Sequence, residues 1–413
     1  MPTQVGATTE ASTDDAVTAR TDKVPSPWYR NPVLRVLVAG SLLNSVAFFA
    51  TLPFLTLYLS DISTLTAAAI GAVVGAVALI AAFGGFLGGL LTDRFGAVTL
   101  IRAGLVVYIA TYGLLTITTR LPLFIALIML VGVGRVLVEP SMKKLLSLAA
   151  TGTAGGVFRI RYITLCLGAI VGPLIGAALY ALASWLIFVL PAVVFAAYLM
   201  FLGAVHGRLS ALDTPQPDRE KPDWRQALGD RALLLVVGGG FVVFFVFAQF
   251  ESILPLFLKA ERGDSAIAYF SVLLAANAAL GIAMQYPAER LSRRVAQSTV
   301  VLIGCAAFAV SLVLFAAFQV HPVFLYIGVI AWTVGEAIMI PLPDMLIHNL
   351  TPDQHKGSYF GLAELRYVGF FLGPVVGGAL LTSDAWLYFA VMAIVIFGAW
   401  PLLGRHPEPS IAA

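Results

Sequence analysis

The 413 residues are 60% apolar and only 11% charged, with a mean hydropathy of +0.93. A soluble domain carries about 25% charged residues, and no soluble core could bury this much apolar surface behind so few charges. Lipid is the implied solvent, and a net charge of +3 gives no reason to expect a nucleic-acid partner.

Residues 1–32 are polar, with Thr8, Thr9, Ser12, Asp14, Asp15 and Pro25. They lack the basic stretch and apolar run of a cleaved signal, so a disordered cytoplasmic tail is expected. A spanning helix needs about 20 predominantly apolar residues. Such runs occupy 33–59, 66–91, 98–118, 122–146, 160–183, 185–205, 231–258, 266–288, 296–318, 323–347, 359–382 and 386–404. The polar stretch 206–230, with Pro215, Pro217 and Pro222, divides these twelve spans into six and six. The expected order is an N-terminal tail (1–32), a six-helix bundle (33–205), a cytoplasmic linker (206–230), a second six-helix bundle (231–404) and a cytoplasmic C-terminal tail (405–413).

Lysine and arginine favour the cytoplasmic side of a membrane. With both termini cytoplasmic, all 25 of them fall on or near that side except Arg120, Lys259 and Arg262 outside and Arg135 at mid-span. Lys143, Lys144, Arg159 and Arg161 then read as anchors at the cytoplasmic interface. A multi-pass protein of the cell (plasma) membrane follows. Cys166 and Cys305 fall inside apolar spans and read as small hydrophobes, with no disulfide framework or metal site expected.

The two halves repeat. Gly134, Arg135 and Pro140 of span 4 return 201 residues later as Gly335, Glu336 and Pro341 of span 10. The same offset carries Gly172, Pro173 and Gly176 of span 5 onto Gly373, Pro374 and Gly377 of span 11, and Pro53 has a counterpart in Pro255. Duplicated halves are how many transporters build two faces around one central site.

A charge at mid-bilayer costs roughly 2.5–3.5 kcal/mol on insertion scales and normally faces a partner or a wet cavity. Spans 3, 6, 9 and 12 have no Asp, Glu, Lys or Arg in their central stretches, whereas spans 1, 4, 7 and 10 carry Asn44, Arg135, Glu139, Gln249, Glu251 and Glu336. Arg135, Glu139, Glu251 and Glu336 are the candidates for proton coupling around a cavity, with Asn44, Gln249 and Asn277 as weaker cavity residues. Arg135 and Glu139, one turn apart, equally suit a self-neutralising pair. The amides of Asn44, Gln249, Asn277 and Gln285 equally suit plain interhelical hydrogen bonds.

Span 2 ends Gly89-Leu-Leu-Thr-Asp93-Arg94-Phe-Gly96, and span 8 ends Ala288-Glu289-Arg290-Leu-Ser-Arg293-Arg294. The first resembles the signature of the major facilitator superfamily between helices 2 and 3, and the second its degraded copy in the other half. The basic pair that follows in the family is replaced by Ala97 and Val98, so the anion or lipid contact of that pair is not implied for this chain. The resemblance covers residues 33–404 and implies an all-α membrane protein of twelve transmembrane helices in two pseudo-symmetric six-helix bundles. It also implies a cytoplasmic gate of Gly89, Asp93, Arg94, Gly96, Glu289 and Arg290, with Asp93 set against the start of span 11 near Ser358. Gly168-x-x-x-Gly172-Pro173-x-x-Gly176 resembles the motif that marks proton-driven antiporters in that superfamily. Span 11 repeats its pattern in Gly369, Gly373, Pro374 and Gly377. These residues imply either a close-packed hinge between the halves or a plain packing seam. The family's helix-4 arginine falls at Ile128 here, and Arg135 stands two turns further along nearly the same face.

The function expected is secondary active transport, as a proton-coupled antiporter of multidrug-efflux type exporting apolar or amphipathic small molecules by alternating access. Alternatives are a metabolite uptake symporter or facilitator of the same fold, and a membrane sensor that transports nothing. An enzyme is not expected: His206, His321, His348, His355 and His406 all lie at helix ends or in loops, and there is no phosphate-binding loop. Ser141-Met-Lys-Lys144 matches a hydrolase motif only by chance, and Asn349-Leu-Thr351 lies on the predicted cytoplasmic side. Expected partners are the small-molecule substrate, protons and the bilayer. No cofactor or metal is expected, and the chain reads as a monomer.

Overall fold

The computed structural model describes residues 28–65, 67–150, 155–213, 224–351, 353–380 and 384–404. The prolines of the linker, both expected tails beyond residues 28 and 404, and all else outside these ranges are not described. Every regular element among the described residues is helical. Lipid offers backbone groups no hydrogen bonds, and a helix satisfies them within itself.

Spans 1–6 are Pro32–Ile62, Ala67–Phe95, Ala97–Ile117, Leu121–Ala149, Gly155–Leu182 and Leu186–Ala204. Spans 7–9 are Arg231–Arg262, Ala266–Ser292 and Gln297–Ala316. Span 10 is broken into Val323–Met339 and Leu342–Leu350, span 11 into Lys356–Ala363 and Tyr367–Leu380, and span 12 into Ala385–Val395 and Ala399–Leu403. Eleven of the spans are long and apolar enough to cross a membrane over their described residues, and the 27-residue span 8 supplies the twelfth crossing. An even number of crossings places the two described ends, Trp28 and Gly404, on one face, called here the terminal face.

Local chemistry sets several boundaries. Asn31 starts span 1, its Oδ1 accepting from the Val33 amide at 2.9 Å, and Asp230 starts span 7 by accepting from Ala232 at 2.9 Å. Such caps satisfy amides that a helix start leaves open. Span 4 runs through Pro140 unbroken, whereas span 10 breaks at Pro341. The second proline at 343 removes a further amide donor within the same turn. Spans 2 and 5 extend beyond their apolar runs, to Phe95 and from Gly155, because Thr92, Asp93 and Arg159 find buried partners.

Buried apolar side chains form two clusters. One takes residues from Val33 to Leu209, with Tyr108 stacked on Phe195 at 4.6 Å. The other takes residues from Ala227 to Leu403 together with Phe158, around a fully buried Trp332 stacked on Phe250 at 5.1 Å. The halves meet along spans 2 and 11 and along spans 5 and 8. Near the terminal face spans 2 and 11 touch backbone to backbone: a Cβ placed on Gly89 would lie 2.1 Å from the Gly357 carbonyl oxygen, and one on Gly361 2.3 Å from that of Gly85. Only glycine permits that approach. Each hydrogen bond and ion pair found between the halves among the described residues lies on this terminal side.

Gly89→Ala should therefore lower thermal stability in detergent by an overpacking cost of about 1–3 kcal/mol. Gly113→Ala, where a Cβ meets nothing within 4 Å, should leave the melting temperature unchanged or slightly raised.

Candidate functional site

Span 4 presents Arg135, Glu139 and Lys143 at four-residue intervals, one face of a helix. Glu139 accepts from Asn44 Nδ2 at 3.1 Å and from Arg161 Nη2 at 2.6 Å. It makes no bond to Arg135, so the self-neutralising pair is not formed. Lys143 pairs with Glu364 and lies 3.6 Å from Asp344; Arg366 reaches Asp344 at 2.7 Å and Arg161 reaches it at 3.7 Å. Three cations and three carboxylates from spans 4, 5, 10 and 11 thus form one buried network across both halves. Arg135 is a fourth cation beside it. Its guanidinium lies 5.4 Å from the Phe48 ring centroid, its Nε is buried without a hydrogen-bond partner, and no carboxylate among the described residues approaches within 4.0 Å.

Lys143, Lys144, Arg159 and Arg161 are not interfacial anchors. Lys143 and Lys144 have no exposed surface and Arg159 is 4% exposed. Spans 4 and 5 turn Lys143, Arg159 and Arg161 toward the other half, where carboxylates and helix carbonyls receive them, while Lys144 is held by Asp93 and Asp213 of its own half. Arg159 donates to Ser292 Oγ at 3.1 Å and lies within 3.5 Å of the Ala288 and Ala337 carbonyls. Asp344, Glu364 and Arg366 escaped the sequence reading although they lie in or at apolar runs. They stand toward the ends of those runs rather than at mid-span, where Glu336 drew the reading.

Asp93 makes the contact that the resemblance implies. Its carboxylate accepts from the Gly357 amide at 2.8 Å and the Ser358 amide at 2.6 Å, at the positive start of span 11. Lys144 holds the same carboxylate at 3.0 Å and Asp213 at 3.3 Å, and Asp213 in turn accepts from the Ala97 amide that opens span 3. Gly96, at φ +86°, makes the turn between spans 2 and 3, a conformation that side chains disfavour. The remaining residues expected at the gate are not drawn into this contact. Arg94 is exposed over Phe95, Arg290 is exposed, and Glu289 pairs with Arg293 one turn along its own helix at 2.6 Å. Beside the second-half copy of the motif, Arg159 of the first half makes the contact between halves instead.

The cavity candidates of the second half divide. Glu336 is 6% exposed and accepts from Asn277 Nδ2 at 2.6 Å; Asn277 also lies 3.1 Å from Thr333 Oγ1. Glu251 is exposed and close enough to Glu336 for the two charges to repel. Neither carboxylate has a cation within 4.0 Å among the described residues. Gln249 is a packing residue: Nε2 donates to the Phe245 carbonyl at 2.8 Å and Tyr388 donates to Oε1 at 2.5 Å. Two residues along a helix turn a side chain by about 200°, so Glu251 and Gln249 face opposite ways.

The glycine stripes pack within each half. A Cβ on Gly168, Gly172 or Gly176 would lie 2.3–2.6 Å from Ser45, Phe49 and Ala50 of span 1. One on Gly373 or Gly377 would lie 2.6 Å from Phe245 and 2.2 Å from Gln249 of span 7. The stripes, with Pro173 and Pro374 inside their helices, are seams of spans 1 and 5 and of spans 7 and 11, not a hinge between halves.

Two six-helix halves closing on buried charges, with binding groups at mid-depth, define a multi-pass membrane transporter. The chain belongs to the Major Facilitator Superfamily, whose profile matches residues 37–365. It is similar to an uncharacterized MFS-type transporter, YqjV, of Bacillus subtilis (strain 168), 24% identical over 354 residues that cover 84% of this chain and 86% of that one. It is 28% identical over 404 residues to the multidrug resistance protein MdtH of Aeromonas hydrophila, covering 91% of this chain and 96% of the relative. The crystal structure of the human organic anion transporter MFSD10 (TETRAN) matches with a TM-score of 0.71 at 16% identity, covering 91% of this chain and 99% of the other. At that identity the likeness shows the fold.

Removing one member of a buried ion-pair network costs about 3–5 kcal/mol, because its partners keep their charge without compensation. Asp344→Asn should show a loss of that order in denaturation in detergent. Glu289→Gln, which breaks a largely exposed pair, should change stability little.

Proposed function

We propose that this transporter is a proton-coupled antiporter of the cell membrane, exporting apolar or amphipathic small molecules by alternating access. It works as a monomer with both termini in the cytoplasm. The observation that carries the reading is the contrast between carboxylates. Glu139, Asp344 and Glu364 are tied to cations, whereas Glu251 and Glu336 have none within 4.0 Å among the described residues. A carboxylate locked to a guanidinium is a structural charge. One without a cation in apolar surroundings is relieved by taking up a proton, as a coupling group must be.

The wall beside these acids suits greasy cargo. Phe247, one turn from Glu251, stacks on Trp332 at 6.1 Å and lies 6.2 Å from Phe370. Aromatic faces bind apolar bodies with little demand on shape, and a relative named as a multidrug resistance protein fits that tolerance. In the cycle proposed, contacts of Asp93 with span 11 and of Lys143 with Asp344 and Glu364 keep the cytoplasmic side closed while protons reach Glu251 and Glu336 from outside. Release of those contacts opens the cytoplasmic side.

Arg135 favours a second reading. A half-buried cation with no carboxylate of its own would receive an anionic substrate, and an anion bound there would favour protonated acids opposite it. That is proton-linked uptake, and the organic anions named for the solved human transporter are its model cargo.

In proteoliposomes with an imposed pH gradient, Glu336→Gln should abolish gradient-driven efflux while expression and folding stay intact. Unchanged efflux would remove Glu336 from the mechanism. Substrate and protons moving in the same direction would select the second reading.

A further inference from the structure

Tyr162 of span 5 is 5% exposed, and among the described residues its hydroxyl has no partner that meets hydrogen-bond geometry within 3.5 Å, although Glu336 stands near enough to interact with it. A buried hydroxyl in that state is rare. It lies between Cys166, one turn along its own helix, and Glu336 of the opposite half. Gly281 of span 8 makes room for it: a Cβ there would sit 3.6 Å from the Tyr162 hydroxyl and 3.3 Å from Cys166 Sγ. One turn earlier on span 8, Asn277 holds Oε2 of Glu336 at 2.6 Å. The carboxylate is therefore gripped by its own half on one side and approached by an unsatisfied donor from the other half.

The titratable surroundings of Glu336 are few. Among the described residues, span 5 contributes Tyr162 and Cys166, with Arg159 at the neighbouring Ala337 carbonyl, and span 7 contributes Glu251. Span 8 brings the Asn277 amide to it, and span 9 packs against span 10 with Gly304 and Phe308. Cys305 of span 9 is turned to the Ile396 carbonyl.

An ionised carboxylate only accepts hydrogen bonds, whereas a protonated one also donates. A phenol donating to an ionised carboxylate makes a short, strong bond, and protonation removes much of that strength. We propose that Tyr162 is a positioning residue that reads the charge on Glu336 from the opposite half. The ionised carboxylate draws the hydroxyl in and holds spans 5 and 8 together, and protonation lets them separate. This rests on Glu336 as the proton carrier and supplies the link from proton binding to movement of the halves.

The test uses the full-length protein in liposomes, with spin labels at Leu182→Cys on span 5 and Val272→Cys on span 8, both exposed positions. Label distances and transport rates are followed across acidic to alkaline pH in otherwise wild-type protein, Tyr162→Phe and Glu336→Gln. Otherwise wild-type protein should shift between short and long distances with pH. Tyr162→Phe, which keeps the ring and loses only the donor, should lose that shift and flatten the pH profile of kcat, while KM stays within about twofold. Loss of one charge-assisted bond predicts a change of about tenfold or more in the conformational equilibrium. Gly281→Ala, whose Cβ would press on Cys166 Sγ beside the hydroxyl, should flatten the profile partly and guards against a folding defect in Tyr162→Phe. A wild-type profile in both variants, with Glu336→Gln inactive, overturns the role of Tyr162 alone. A wild-type profile in Glu336→Gln overturns the proton-carrier reading, and the role of Tyr162 falls with it.

Discussion

Lys143 has no surface open to solvent, yet it sits among Glu364, Asp344 and the ring of Tyr367. A charge so placed tolerates burial only while its partners stay in reach, and those partners belong to the other half of the molecule. The closed terminal side follows from this constraint. Asp93 on the start of span 11, the glycine contact of spans 2 and 11, and Arg159 on the carbonyls of spans 8 and 10 bring the halves together at the same depth. Each would be left unsatisfied by separation without a compensating set of contacts.

The duplicated architecture explains where these pairs form. Lys143 meets Asp344 and Ser147 meets His348, partners at the repeat offset that links span 4 to span 10. Equivalent positions of two related halves face each other across the pseudo-twofold axis. Arg135 and Glu336 share that offset and opposite charge but do not pair. Glu336 is held by Asn277 of its own half, and Arg135 rests on Phe48. Near the terminal face the axis is therefore bridged by charge, while further in the two opposite charges remain apart.

That division separates structural charge from charge available for work. Glu139 looks as functional as Glu336 in the chain, being an acid deep in an apolar span. Its two oxygens are already taken by Asn44 and Arg161. Among the described residues Glu251 and Glu336 lack such cations, and the antiport reading stands on that difference.

Much of the fold was legible in the chain. Apolar runs of membrane length, glycine and proline repeating at one offset, and the scarcity of charge specify a lipid-embedded, duplicated helical protein, because these properties are local or additive along the sequence. The Asp93 contact was legible through a short motif whose chemistry needs an acid at a helix end. Partnerships within the site were not. Whether Gln249 or Glu251 faces inward, whether Gly172 packs on its own half or the other, and whether Lys143 reaches water or Asp344 all depend on the rotation of one helix against another. A single residue turns a side chain by about 100°, and that rotation is decided only when all twelve helices pack together.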